Sequence, residues 1–228
     1  MTNRQLALAL PHRPAFGFED FLVARCNEAA VGWLDRWPDW PMRALLLVGP
    51  AGSGKSHLVR VWAERSGAPI VAAERYSAAV DARCLVIEDA DRGLDEEALF
   101  HAFNRLAEQD GSLLLTARAP LAAWPVILPD LRSRLQAAGS VRLDGPDDEL
   151  LAALLVKQFA DRQIDVHVDL ISYLVARMER TFSAVGHIVG SLDAAALVEK
   201  RPVTVPFARR VLGWENEGKR SGRRLTDA

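Results

Sequence analysis

Runs of consecutive apolar residues alternate with stretches in which apolar side chains recur every three or four positions. Ala44–Val48, Pro69–Ala72, Cys84–Ile87, Ser112–Thr116 and Ser140–Leu143 predict short strands. Lys55–Ser66, Asp95–Gln109 and Leu131–Ala138 predict helices, with Leu99, Phe103 and Leu106 sharing one face of the second. Upstream, Asn27 reads as the cap of a helix with Glu28 in its first turn and Ala29, Ala30, Trp33 and Leu34 as its stripe. Trp37-Pro-Asp-Trp-Pro41 ends that helix in a rigid turn, and Trp33, Trp37 and Trp40 are expected to close the base of the domain as core. Strand–helix alternation of this kind predicts a parallel sheet covered on both faces.

After Gly145-Pro146 the pattern becomes helical throughout. Asp147 and Asp148 suit the start of a helix carrying Leu150, Leu151, Leu154, Leu155 and Phe159. Asp169 is the expected cap of a second, with Leu170, Tyr173 and Leu174, and Thr181 or Ser183 starts a third running towards Val198. A last short helix follows Pro206, and Ile164–Val168 is the longest strand-like stretch in this part. The expected organisation is a loose arm over 1–15, where Pro11 and Pro14 oppose helix and central strand, an α/β base over 16–145, a small all-helical domain over 146–214, and a flexible basic tail over 215–228.

Composition narrows the class. Of 228 residues, 25% are charged and 50% are apolar, enough for a core without disulfides. A formal net charge of −2 excludes a protein that holds nucleic acid by bulk charge, though not local basic patches. Cys26 and Cys84 cannot make a framework, which favours a reducing cytoplasm. The apolar runs fall short of the roughly 20 residues that a membrane span needs, and the early Ala/Leu stretch is broken too soon by Pro11 to read as a signal peptide. The histidines show no metal spacing.

One segment carries chemistry outright. Gly49-Pro-Ala-Gly-Ser-Gly-Lys-Ser56 fits G-x-x-x-x-G-K-[ST], with a predicted strand before it and a helix after it. Glycines let such a loop turn its N–H groups onto phosphate oxygens, and the helix start adds positive potential. The expected nucleotide-binding set is Gly49, Pro50, Ala51, Gly52, Ser53, Gly54, Lys55, Ser56 and His57, with Lys55 on the β/γ-phosphates and Ser56 on Mg²⁺. Cys84-Leu-Val-Ile-Glu-Asp-Ala-Asp91 is an apolar strand ending in acids, which places Glu88 near Mg²⁺ and leaves Asp89 to orient water. Thr116 closes the next apolar run, where a small polar group can sense the γ-phosphate, and Arg118 follows it. Arg132 and Arg134 lie two apart on a helix and point to different sides.

These motifs, together with Phe16-Gly-Phe-Glu-Asp-Phe21, Asn27-Glu-Ala-Ala30 and Leu131-Arg-Ser-Arg-Leu135, run in the order of an AAA+ ATPase. The chain resembles more narrowly the Hda family, relatives of the replication initiator DnaA. The resemblance implies an αβα sandwich on a five-stranded parallel sheet, followed by a helical lid. It implies that Arg134 is an arginine finger acting on ATP held by DnaA, with Arg132 the second choice. It also implies that Gln5, Leu6, Leu8 and Leu10, in Gln5–Leu10, bind the DNA sliding clamp (the polymerase III β subunit), and through it reach DNA; an extended peptide puts the three leucines on one side. Self-association is left open. No room remains after Leu212 for the helix-turn-helix domain of an initiator, so specific origin binding is not expected.

Two departures matter. Glu88 stands where DnaA has Asp, and the lid position of a sensor arginine falls on Gly186, beside His187. The resemblance thus implies ADP or ATP binding with weak hydrolysis by the chain itself, and ADP as resident nucleotide. The alternative is a helicase loader of the DnaC/IstB kind acting on single-stranded DNA, which would leave Gln5–Leu10 without a purpose. A small-molecule P-loop kinase would leave the helical domain without one.

Overall fold

The computed structural model describes residues 22–214, so the arm, the Phe16–Phe21 motif and the basic tail lie outside the described residues. The chain divides into two compact units between Gly145 and Pro146.

The first unit holds α1 (Glu28–Asp35), β1 (Ala44–Val48), α2 (Lys55–Ser66), β2 (Ile70–Ala72), β3 (Cys84–Glu88), α3 (Glu96–Glu108), β4 (Ser112–Ala117), α4 (Pro129–Ala137) and β5 (Gly139–Arg142). The strands form one sheet in the order β2-β3-β4-β1-β5, and every pairing is parallel. Strand period explains why the central strands are apolar throughout: successive side chains serve opposite faces. Ala44, Leu46 and Val48 of β1 join Leu85, Ile87, Leu113 and Leu115 in a core shared with Leu99, Phe103, Leu131 and Leu135 of α3 and α4. Leu45 and Leu47 join Val86 and Leu114 in the opposite core, with Leu34 of α1 and Leu58 and Trp62 of α2.

The tryptophans meet the expectation placed on them. Trp62 is fully buried, with Trp40 tilted against it at 5.2 Å and Trp37 edge-on at 6.0 Å. Two of the three indoles satisfy their N–H: Trp40 Nε1 donates to the Trp33 carbonyl at 2.7 Å and Trp37 Nε1 to Ser112 Oγ at 3.0 Å, while the buried Trp62 Nε1 has no partner among the described residues. Opposite them, a Cβ on Gly139 would lie 2.9 Å from the Trp33 ring, so β5 starts on glycine to let the ring approach.

The second unit holds α5 (Asp148–Asp161), α6 (Val168–Val175), α7 (Phe182–Glu199) and α8 (Val205–Val211) around its own core of Leu155, Phe159, Leu174, Val189 and Phe207. α7 is long and apolar enough by composition to cross a membrane, but Val185, Ile188, Val189 and Leu192 are buried in this core. Asp147 caps α5, accepting from Leu150 N, and Thr181 rather than Ser183 caps α7.

Three expected boundaries change. Asn27 precedes α1 but does not cap it: its Oδ1 accepts from Ala24 N and its Nδ2 donates to the Leu22 carbonyl, so its amide serves the incoming turn. Asp169 lies inside α6, whose cap is His167. Pro206 also lies inside its helix, in the first turn of α8, where a missing N–H costs nothing, and Thr204 is the cap. Ile164–Val168 forms no strand.

Leu114 sits at the middle of the sheet with none of its surface exposed. Leu114→Ala is expected to cost about 2–5 kcal/mol in urea unfolding, by lost transfer and by the cavity left behind. Ile70→Thr, on the exposed edge strand, should cost less than about 1.5 kcal/mol in the same measurement.

Candidate functional site

The phosphate loop follows β1 directly. Its conformation needs glycine where the sequence has it: Gly52 and Gly54 have φ of 75° and 93°, and a Cβ at Gly49 would lie 2.3 Å from the Leu143 carbonyl. Gly54 is the last residue before α2, so the loop delivers its N–H groups to the start of a 12-residue helix. Lys55 is buried, and its ammonium donates to the Gly49 carbonyl at 2.6 Å and the Pro50 carbonyl at 2.8 Å. Two of its three protons are held by the loop and the third is uncommitted. Desolvation lowers its pKa and the neighbouring Arg118 lowers it further, while Asp89, Asp91 and Glu88 act the other way. The Ser53 hydroxyl is buried beneath the loop without a hydrogen-bond partner.

Parallel pairing brings the acids of β3 to this loop. Glu88, the last residue of β3, accepts from Ser56 Oγ at 2.7 Å, so the two expected Mg²⁺ residues meet. Hard oxygen donors of this kind suit Mg²⁺, which takes one or two protein groups and fills its remaining positions with phosphate and water. The set fits that ion, and no cluster of three or more His, Cys, Asp or Glu suited to another metal occurs among the described residues.

Asp89 follows with φ 53°, a conformation uncommon for a residue with a side chain. Thr116 explains how it is held. Its buried hydroxyl accepts from Asp89 N at 3.1 Å, so Thr116 supports the turn after β3. The Asp89 carboxylate faces Arg118, at 3.6 Å. Asp91 accepts from both Arg118 N and Ala119 N, at 3.0 and 2.9 Å, and ties the turn after β4 to the turn after β3. Sequence reasoning quoted Asp91 without giving it a task. It missed Arg142, which with Arg118, Gly49, Pro50 and Ser140 lines a cleft of about 380 Å³ beside the loop.

The arginine pair lies on α4, away from these groups in sequence. Arg132 donates to the Val126 carbonyl at 2.5 Å and so braces the start of its own helix. Arg134 is half-buried with its guanidinium over the Phe100 ring at 4.9 Å, and no carboxylate among the described residues lies within ion-pair distance of it. A face-on ring orients the cation without neutralising it, worth about 0.5–2 kcal/mol. The entry to α4 is fixed by a group the sequence did not flag. The Glu96 carboxylate accepts from Ile127 N at 2.9 Å and Leu128 N at 2.7 Å, capping α4 from the first turn of α3. His57, in the first turn of α2, has its pKa lowered by burial of the ring and by Arg60. Gly186 and His187 lie on α7 of the second unit, where a Cβ on Gly186 would meet open space.

Two outcomes follow from this geometry. The folded-state pKa of Lys55 lies below the ordinary 10.5, so the unfolded chain holds its proton to higher pH. Stability should therefore gain an upward component as pH rises through the folded value towards 10.5, and denaturant titrations of Lys55→Met across that range should lack it. Glu96→Ala strips the cap from two backbone N–H groups, and should lower stability by about 1–3 kcal/mol with faster amide exchange at Ile127 and Leu128.

Residues 147–212 match the family model described as "Hda, lid domain". An uncharacterised protein of Haemophilus influenzae is 29% identical over 182 residues, covering 72% of this chain and 79% of its own length. The chromosomal replication initiator DnaA of Thermomicrobium roseum is 23% identical across 87% of this chain, which spans about half (50%) of the initiator's length. Among solved structures, domain III of Thermotoga maritima DnaA superposes with a TM-score of 0.70 at 18% identity, over 88% of this chain and 97% of that one. AMPPCP-bound DnaA from Aquifex aeolicus gives 0.66 at 15% identity, over 78% and 65%. The fold is thus that of domain III of DnaA, a five-stranded parallel sheet between helices followed by a lid-like helical unit, and the chain is similar to Hda over that unit and to DnaA over most of its length.

Proposed function

We propose that this protein regulates replication initiation by acting on ATP bound to DnaA. Arg134 is the arginine finger, entering the partner's nucleotide site and stabilising the charge that develops as the terminal phosphoryl group passes to water. The observation that carries this reading is the state of its guanidinium: half-buried, oriented on Phe100 and, among the described residues, without a carboxylate to neutralise it. Arg132 is the weaker choice because its guanidinium is spent on the Val126 carbonyl.

In the same reading the chain's own loop, 49–57, binds ADP or ATP. Backbone N–H groups and Lys55 hold the phosphates, and Ser56 and Glu88 hold Mg²⁺, which would supply charge neutralisation at the phosphates. The AMPPCP-bound relative supports nucleotide binding by this fold. Asp89 orients water only if it is released from Arg118, and Gly186 leaves the sensor position of the lid without a cation. Both features favour weak hydrolysis in cis and a resident ADP. Gln5, Leu6, Leu8 and Leu10 form the clamp-binding peptide, so the protein reaches DNA through the clamp, in the cytoplasm at the replicating nucleoid. The domain limits that go with this reading are an arm over 1–15, a base over 16–145, a lid over 146–214 and a basic tail over 215–228.

The test is hydrolysis of ATP-DnaA with clamp loaded on DNA. Wild-type protein should accelerate it. Arg134→Ala should remove the acceleration almost entirely, a finger being worth about 10³–10⁵ in rate, while clamp and nucleotide binding stay intact. The pair Gln5→Ala and Leu8→Ala should lose clamp binding in a pull-down and, with it, the acceleration. Wild-type activity in the Arg134→Ala protein would sink the finger. Gly186→Arg starts its side chain in open space, since a Cβ there meets nothing within 4 Å, and should raise the preference for ATP over ADP in equilibrium binding. An unchanged ratio would remove the argument from the missing cation.

A further inference from the structure

Charge is distributed very unevenly along this chain. Residues 200–224 contain eight Lys or Arg and two Glu, in a protein whose net charge is −2. The four basic residues of this segment that fall within the described residues are Lys200, Arg201, Arg209 and Arg210, and they gather at one corner of the helical unit.

The backbone makes that corner. Lys200 ends α7 in a left-handed conformation, φ 51° and ψ 46°, and Arg201 N closes the helix end on the Ala196 carbonyl at 3.3 Å. The chain then turns through Pro202 into α8, which is anchored from beneath by the buried Val203, Phe207 and Ala208. Arg201, Thr204, Phe207, Arg209 and Arg210 line a cleft of about 530 Å³ between the turn and the helix. Arg210 is pinned: it pairs with Glu199 at 2.6 Å and lies over the Phe207 ring. Arg201 and Arg209 are exposed, and among the described residues neither side chain meets a carboxylate. Two uncompensated guanidinium groups, a pinned third and a hydroxyl therefore share one concave, rigidly supported surface.

We propose that this cleft binds the phosphodiester backbone of nucleic acid directly, in addition to the contact through the clamp that the proposed function supplies. Guanidinium forks and a threonine hydroxyl are phosphate donors, and nothing in the lining reads a base edge, so the contact is independent of sequence. The neighbouring Leu197 and Val198 are exposed, at 72% and 84%, which raises the question of a lipid surface. They lie outside the cleft, however, and a concave arginine-lined wall suits a curved polyanion better than a flat bilayer. The same corner offers weak binding of modest salt range: each neutralised phosphate changes the slope of log K against log salt by about 0.9 on a duplex.

The experiment is fluorescence anisotropy with the full chain and a short labelled duplex of mixed sequence, and with the corresponding single strand, from low to physiological salt. Wild-type protein should bind, with affinity falling as salt rises by a slope of about 2–3 in log K against log salt. Arg201→Glu with Arg209→Glu should weaken binding at low salt by about tenfold or more and flatten the salt slope by about two units; the double alanine variant should fall between. Arg83→Glu with Arg92→Glu makes the same change of net charge on exposed residues of the other unit, and should bind as wild type does. Equal loss in that control would reduce the effect to bulk charge and overturn the site. So would undiminished binding by the 201/209 variant, no binding of either strand form, polyglutamate displacing DNA at equal charge, or variant-sensitive binding to phosphatidylglycerol vesicles without binding to DNA. Neither clamp nor DnaA enters the assay, so its failure leaves the finger reading to be judged by its own test.

Discussion

Parallel strands all finish at the same edge of their sheet. That constraint makes the candidate site, because β1, β3 and β4 bring the groups at and just beyond their C-terminal ends to one edge. β1 delivers the phosphate loop, β3 delivers Glu88 and Asp89, and β4 delivers Thr116. The bonds between Ser56 and Glu88 and between Asp89 and Thr116 join residues 32 and 27 positions apart, distances in sequence that the crossovers through helices close. The apolar strand bodies, packed on both faces, hold these ends in register. Brought together otherwise, the same acids would be a solvated cluster.

Within this frame the charges divide into those that are spent and those that are kept available. Lys55 is held by loop carbonyls that a phosphate can replace, and its desolvation means that a phosphate gains more from it than from a lysine in water. Arg132, Arg118 and Arg210 are committed to a carbonyl or a carboxylate. Arg134 rests on an aromatic face, which restricts its motion and leaves its donors unused. The helix that carries it is tied at its entry by Glu96, so its position depends on α3 as much as on its own sequence.

The sequence signals that succeeded were those in which local chemistry and tertiary environment agree. The loop needs glycine for its positive φ values wherever it is placed, and Leu45, Val86 and Leu114 are apolar because both sheet faces are covered. Asp95, Asp147 and Thr181 cap as their residue types suggest. Asn27 has an equally good type, but its amide is taken by the turn at Leu22 and Ala24, which competes locally for the same groups. Asp169 failed as a cap for a related reason: His167, two residues earlier, occupies that position and accepts from Asp169 N.

What the residues by themselves determined is the strand–helix alternation, the phosphate loop and the acids that follow β3, because each is written in spacings of a few positions that a strand or a helix reads directly. What only the tertiary structure decided is which groups meet. Thr116 serves the turn at Asp89, Asp91 binds the turn after β4, Glu96 caps a helix some thirty positions away (Leu128 N lies 32 residues on), and Phe100 rather than a carboxylate receives Arg134. A hydrogen bond or a cation–ring contact depends on direction and distance in space. Those are set by the packing of whole elements, and no periodicity along the chain encodes them.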